Sequence, residues 1–320
     1  MSTHPQATRR FRTSLLVVVA GLTALAGACG SAGNRTASGG TSGGTTSAPS
    51  ARSAAGSATK HTGVVDVLSA GSLQILMQDT VAPAFKAATG YTLDNFSAGS
   101  KDLAQDIKGK IKVADVFVSA SPTVNTSLQG TANGNWVSWY AAFASSPLVL
   151  GYYPKSRFAH DLRTMPWYQV ITKPGFLLGR TNPAEDPGGV LQAEALDETA
   201  QARHLPALHA LATETKDEFE ETALEGDVES GQLDAGLMYL ADANSDKLPH
   251  VDLPGVHLAG DYTITVVNGA PHAAAAAAFV KFLLGPTGRA EMRKDQFAIV
   301  SPPKVTGTGV PASLKGALGS

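Results

Sequence analysis

From Val64 onward, short apolar runs alternate with longer stretches of mixed polarity. Val64–Leu68, Tyr91–Phe96 and Val113–Val118 are rich in β-branched and aromatic residues and read as strands. Between them LQILMQDTVAPAFKAATG and KDLAQDIKGK carry apolar residues at helical spacing, and Pro83 is expected to divide the first. A second series begins near Pro147. It has strands in PLVLGYYP, Phe176–Arg180 and Ala235–Leu240, and helices over Gly188–His204 and Lys216–Ser230, the latter stopped by Gly231. DYTITVV then reads as a strand, and Ala273–Leu284 and Pro286–Lys294 as helices. From Ser301 the Pro- and Gly-rich sequence reads as a tail or surface strap. Such alternation implies an α/β fold with a largely parallel sheet and crossover helices.

The first 62 residues follow neither pattern. Arg9, Arg10 and Arg12 precede the apolar stretch Ser14–Ala28, so residues 1–28 read as an export signal, too short for a lasting membrane span. Cys29 is the one cysteine of the 320 residues and closes LAGAC, which resembles a lipobox, so lipidation at Cys29 is expected. A single cysteine leaves the exported fold without a disulfide. Residues 29–62 are of low complexity and read as a tether with a reach of roughly 30 Å. Loss of the three leader arginines from 25 cations leaves 22 against 27 anions. That acidic balance, with no basic stripe along the chain, argues against nucleic acid as a partner.

Candidate catalytic groups are sparse. The eight histidines are scattered, and the five-residue spacing of His204 and His209 does not place both on one helix face. Glu218, Glu220 and Glu221 read as a solvated charge run. Trp136, Trp139, Trp167 and Tyr140 read as packing residues.

One phrase stands out because it occurs twice. Ser69-Ala70-Gly71-Ser72 and Ser97-Ala98-Gly99-Ser100 each end a strand and open a helical stretch, and Ser119-Ala120-Ser121 echoes them. Free N–H groups and partial positive charge at a helix start, small residues and a hydroxyl together make a seat for an anion. The alternative is that Ser72 and Ser100 only cap their helices.

VLSAGSL, FSAGSKDLAQDI with ADVFVSA, FASSPLVLGYYPKS, NPAEDPGG, GQLDAGLMYLADA and YTITVVNGAPHAAAAAAFVKFLLGPTGRAEM occur in an order that resembles the molybdate/tungstate-binding lipoproteins of ABC importers. These have the type II periplasmic-binding-protein fold. The resemblance implies two α/β lobes, residues 63–144 plus 262–320 and residues 145–261, joined by two crossing strands and closing on the ligand by hinge motion. It implies that Ser72 and Ser100 grip the oxyanion from the first lobe, with a backbone N–H of Gly188 and the hydroxyl of Tyr239 from the second. A further backbone N–H is expected near Glu220 or Glu221. In an archaeal branch an aspartate of the DP-G segment and a glutamate beside the tyrosine bind the metal directly. Asp186 matches the first, but Met238 stands at the second, so a four-coordinate tetrahedral oxyanion is expected, with Asp186 capping the helix at Gly188.

The same resemblance implies an extracytoplasmic protein held at the cell membrane by its N-terminal lipid. It would be monomeric, without cofactor or enzymatic activity, and would deliver its anion to an ABC permease. Sulfate, phosphate or an organic anion are alternative ligands. The competing class is an exported serine hydrolase using Ser72 or Ser100, for which the strand-end loops of the first lobe offer no histidine base.

Overall fold

The computed structural model describes residues 62–319. The leader, Cys29 and all but the last residue of the tether lie outside them. Ten strands form one continuous curled sheet: β1 (Val64–Ala70), β2 (Thr92–Ala98), β3 (Val116–Ser119), β4 (Trp139–Tyr152), β5 (Leu178–Thr181), β6 (Glu218–Phe219), β7 (Ala235–Tyr239), β8 (His250–Asp252), β9 (Ala259–Val266) and β10 (Ala298–Gly307). Their order is β2-β1-β3-β9-β4-β7-β5-β6, with β10 and β8 also paired to β4.

The two-lobed architecture follows from β4. Its residues 139–147 pair with β9 and β10, while Leu148–Tyr152 pair with β7 and β8. The chain crosses back between β8 and β9. In the first lobe β1 is parallel to β2 and β3, and in the second β5 is parallel to β6 and β7. Every residue of β3 and β7 is buried, as in sheets covered by helices on both faces.

Several expected boundaries move. β3 starts at Val116, because Val113 is left exposed in the preceding turn. The expected helix Lys216–Ser230 is a short strand, β6, beside β5, followed by a helix only from Glu221 to Ser230. The stretch after Ser72 is helical to Thr89 but changes winding. A wide turn over Leu76–Val81 gives way to the α-helix Ala82–Thr89, and Pro83 sits in its first turn, where a missing N–H costs nothing. The C-terminal strap is in part a strand, antiparallel to β4.

Asp115 ties three elements of the first lobe together. Its wholly buried carboxylate accepts the Asp66 N–H at 2.8 Å, the His272 N–H at 2.7 Å and His272 Nδ1 at 2.9 Å. Asp115→Ala leaves two backbone donors without partners and is expected to cost about 3 kcal/mol in urea denaturation. The hydrogen bond to Asp115 and its charge raise the pKa of His272. This part of the stability is complete below the ordinary histidine range and is lost as pH rises through the raised value.

Candidate functional site

The two serine phrases lie side by side at the ends of β1 and β2, in register Ser69 with Ser97 and Ala70 with Ala98. Neither serine caps a helix. The N-cap positions are Ala70 and Gly99, and no side-chain cap bond is made at either. Both hydroxyls are buried and already accept a hydrogen bond: Ser72 Oγ from Tyr262 at 3.0 Å, Ser100 Oγ from the Ala120 N–H at 3.1 Å. Each acceptor role leaves the serine's own proton free to donate.

Opposite them, the second lobe presents two carboxylates and a phenol. Asp186 caps the helix Pro187–Arg203, accepting the Gly188 N–H at 2.5 Å, and its carboxylate also takes the Ser100 N–H across the cleft. Glu221, the first residue of the helix Glu221–Ser230, lies against Gly71 and accepts the Ser72 N–H. Tyr239, the last residue of β7, brings its hydroxyl close to Gly188. The Oδ1 of Asp186, the Oε2 of Glu221 and the Tyr239 hydroxyl are buried without a hydrogen-bond partner in the protein. Three such atoms from three elements beside the serine seats depart from the near-complete pairing of buried polar groups and make this the candidate binding site.

Electrostatics agree. Burial raises the pKa of Asp186 to about 6, against the opposing pull of the N–H groups it accepts. Burial, and next the nearby Asp186 charge, raise that of Glu221 well above the ordinary range. Burial likewise raises the Tyr239 phenol, so it keeps its proton and can donate.

The lobes touch around this cluster. Glu185 O accepts from the N–H groups of Lys101 at 3.0 Å and Asp102 at 3.3 Å, and Lys101 Nζ donates to Pro183 O at 2.6 Å. Next to the seats a cavity of about 530 Å3 opens between the lobes, lined by Lys101, Ser121, Thr123, Val190, Leu191 and Asp261 among others.

Ser72, Ser100, Gly188, Glu221 and Tyr239 are thus brought together with Asp186, but Glu221 is present through its side chain rather than only a backbone N–H. The three expected solvated acids have three different surroundings. Glu218 pairs with the buried Arg180 at 2.8 Å, Glu220 caps its helix by accepting the Ala223 N–H, and Glu221 enters the site. Met238 is not beside the anion seat. Neighbours on a strand point to opposite faces, and the Met238 side chain packs against Gly151 and the cluster of Val149, Leu224 and Val228. A carboxylate does lie near the tyrosine, but it is that of Glu221, from the helix. One signal in the sequence pointed to it: Glu221 and Glu225 share the helical stripe of Leu224 and Val228, where apolar residues are expected. Tyr262, which orients Ser72, also escaped the sequence reading.

The profile of the bacterial extracellular solute-binding protein family matches residues 65–298. An uncharacterized solute-binding protein of Halobacterium salinarum is 30% identical over 258 residues, covering 72% of this chain and 82% of the relative. The molybdate/tungstate-binding protein of Pyrococcus abyssi is 24% identical over 277 residues, 70% of this chain and 79% of its own. Among solved structures, the periplasmic molybdate-binding protein of Azotobacter vinelandii superposes with a TM-score of 0.59 at 19% identity, over 74% of this chain and all of that one.

Proposed function

The chain belongs to the bacterial extracellular solute-binding protein family, and from that premise we propose that it captures molybdate or tungstate and delivers it to an ABC permease. The observation that carries the reading is the convergence of Asp186 Oδ1, Glu221 Oε2 and the Tyr239 hydroxyl, all unpartnered, on the seats of Ser72 and Ser100. The relatives named for molybdate and tungstate support the same ligand class.

The two acids decide between oxyanions. Above about pH 6, where Asp186 is ionised, a tetrahedral dianion held only by hydrogen bonds would face a buried carboxylate, and a unit charge pair at 4 Å costs about 4 kcal/mol at an effective dielectric of 20. Molybdenum(VI) and tungsten(VI) escape this cost because they accept six oxygen ligands, whereas sulfur and phosphorus in their oxyanions stay at four. The carboxylate oxygens of Asp186 and Glu221 then become ligands, and their protons pass to oxo groups, which conserves charge. Serine hydroxyls, Tyr239 and the Gly188 N–H donate to the remaining oxygens. On this reading the guest is six-coordinate, where Met238 led to an expectation of four.

Calorimetry with molybdate, tungstate, sulfate and phosphate tests the reading. Tight binding of the first two and weak or no binding of the others is expected, and preference for sulfate would overturn it. Ser100→Ala should weaken molybdate by about 1–3 kcal/mol. The pH dependence has a definite sign. The empty site holds its acids protonated at low pH, and the complex needs those protons. As pH rises through about 6, where Asp186 titrates, protons must be taken up and affinity should fall.

A further inference from the structure

The lysines between Ile107 and Ala114, in the run IKGKIKVA, are too few to register as a basic stripe in the sequence, but the fold gathers them with exposed apolar residues. Ile111 is 72% exposed, Val113 59% and Phe96 43%, and together they are three of the seven large apolar side chains most exposed among the described residues. Lys112 lies over the Phe96 ring at 3.4 Å, and Lys110 faces the half-buried Trp136 at 5.8 Å. No acidic residue interrupts the run. Behind this edge Asp66 and Asp115 are turned onto His272, while Asp94, two residues before Phe96 on β2, and Asp106, just before Ile107, border the run.

The position of this patch matters as much as its chemistry. It lies at the C-terminal end of the helix Ser100–Gly109, whose other end holds the anion seat, so roughly 15 Å of helix separates the two. It also lies at the edge where the chain enters the described fold. Gly63 O accepts the Thr92 N–H, Val64 pairs with Thr92, and Asp66 O accepts the Asp115 N–H two residues after Val113. The 61 residues that precede Thr62 therefore join the fold beside Ile111 and Val113.

We infer that Phe96, Lys108, Lys110, Ile111, Lys112 and Val113 form a docking face for an anionic lipid surface. Apolar side chains flanked by lysines suit the headgroup boundary, where the stems bury and the ammonium groups meet lipid phosphates. On a chain with an acidic balance, three lysines within five residues give a local positive charge complementary to that surface. The face acts with or without lipidation at Cys29 and does not depend on which oxyanion is bound.

The test is co-sedimentation of the full chain with vesicles of phosphatidylcholine alone and with vesicles in which about a third of the lipid is phosphatidylglycerol. The leader arginines are common to every variant, so the comparison is between variants. Charge reversal by Lys110→Glu with Lys112→Glu should lower binding to the anionic vesicles about tenfold or more, and Ile111→Asp should lower it severalfold. Both should leave the melting curve and molybdate binding unchanged. Hydrogen exchange provides the second measurement, with protection by anionic vesicles expected over residues 107–114. Equal binding of wild type and charge-reversed chain, or protection confined to another surface, overturns the proposal. So does a photocrosslinker at position 111 that captures a membrane protein and no lipid.

Discussion

Replacing Glu221 by glutamine is expected to weaken molybdate binding at least about a hundredfold while raising the melting temperature of the anion-free protein. The two effects have one cause. Without anion, Glu221 is a buried acid with an unpartnered oxygen, and burial together with Asp186 pushes its pKa well up. A carboxyl with a raised folded-state pKa costs stability as pH rises above the ordinary glutamate range, because the unfolded chain releases the proton more readily than the folded one. Glutamine removes that cost while filling nearly the same volume. In the proposed complex the carboxylate oxygen would be a metal ligand, for which an amide oxygen is a poor substitute. Loss of one such interaction in a buried site is worth about 3 kcal/mol, which is more than two decades in affinity. Calorimetry and a thermal melt at pH 7.5 check both halves. Unchanged molybdate affinity in Glu221→Gln would remove Glu221 from the coordination sphere and return the site to hydrogen bonding alone.

What could be read from the residues divides along physical lines. The serine phrases were legible because backbone geometry at a strand–helix junction is local, and small residues with a hydroxyl leave few other uses for the motif. β3 and β7 were legible because fully buried strands must be continuously apolar. Glu221 was not, because a charged residue near two others looks solvated unless the helix phase is fixed. That phase depended on where β6 ended and the helix began. The β6 strand itself is two residues long and owes its existence to pairing with β5, a tertiary effect with no local signature. The same dependence hid Glu218, whose partner Arg180 lies on β5 and is 1% exposed. A resemblance-based alignment placed the missing carboxylate at Met238, one position from Tyr239. Strand alternation excludes that residue from the face the tyrosine occupies.

Gly99→Ala is expected to reduce molybdate affinity by about two decades without altering the fold of the anion-free chain. Gly99 has φ −52° and ψ 131°, a conformation open to any residue, so alanine introduces no backbone strain. Its Cβ would lie 2.5 Å from the carbonyl oxygen of Glu185 and 3.3 Å from the Asp186 Cβ, both on the opposite lobe. That carbonyl is the acceptor for the Lys101 and Asp102 N–H groups, so it cannot withdraw without breaking the contacts that join the lobes. Overpacking of this kind costs about 1–3 kcal/mol, and the strained contacts at the helix start add to it. Gly71 offers the contrast. The nearest atoms to a methyl there belong to the Glu221 side chain rather than to backbone, so Gly71→Ala should disturb coordination while still permitting closure. Small-angle scattering separates the two variants. Wild type and Gly71→Ala should contract when saturated with molybdate, and Gly99→Ala should not. A Gly99→Ala protein that binds and contracts like wild type would mean that the bound lobes meet elsewhere, and the seat shared by Ser100 and Asp186 would have to be redrawn.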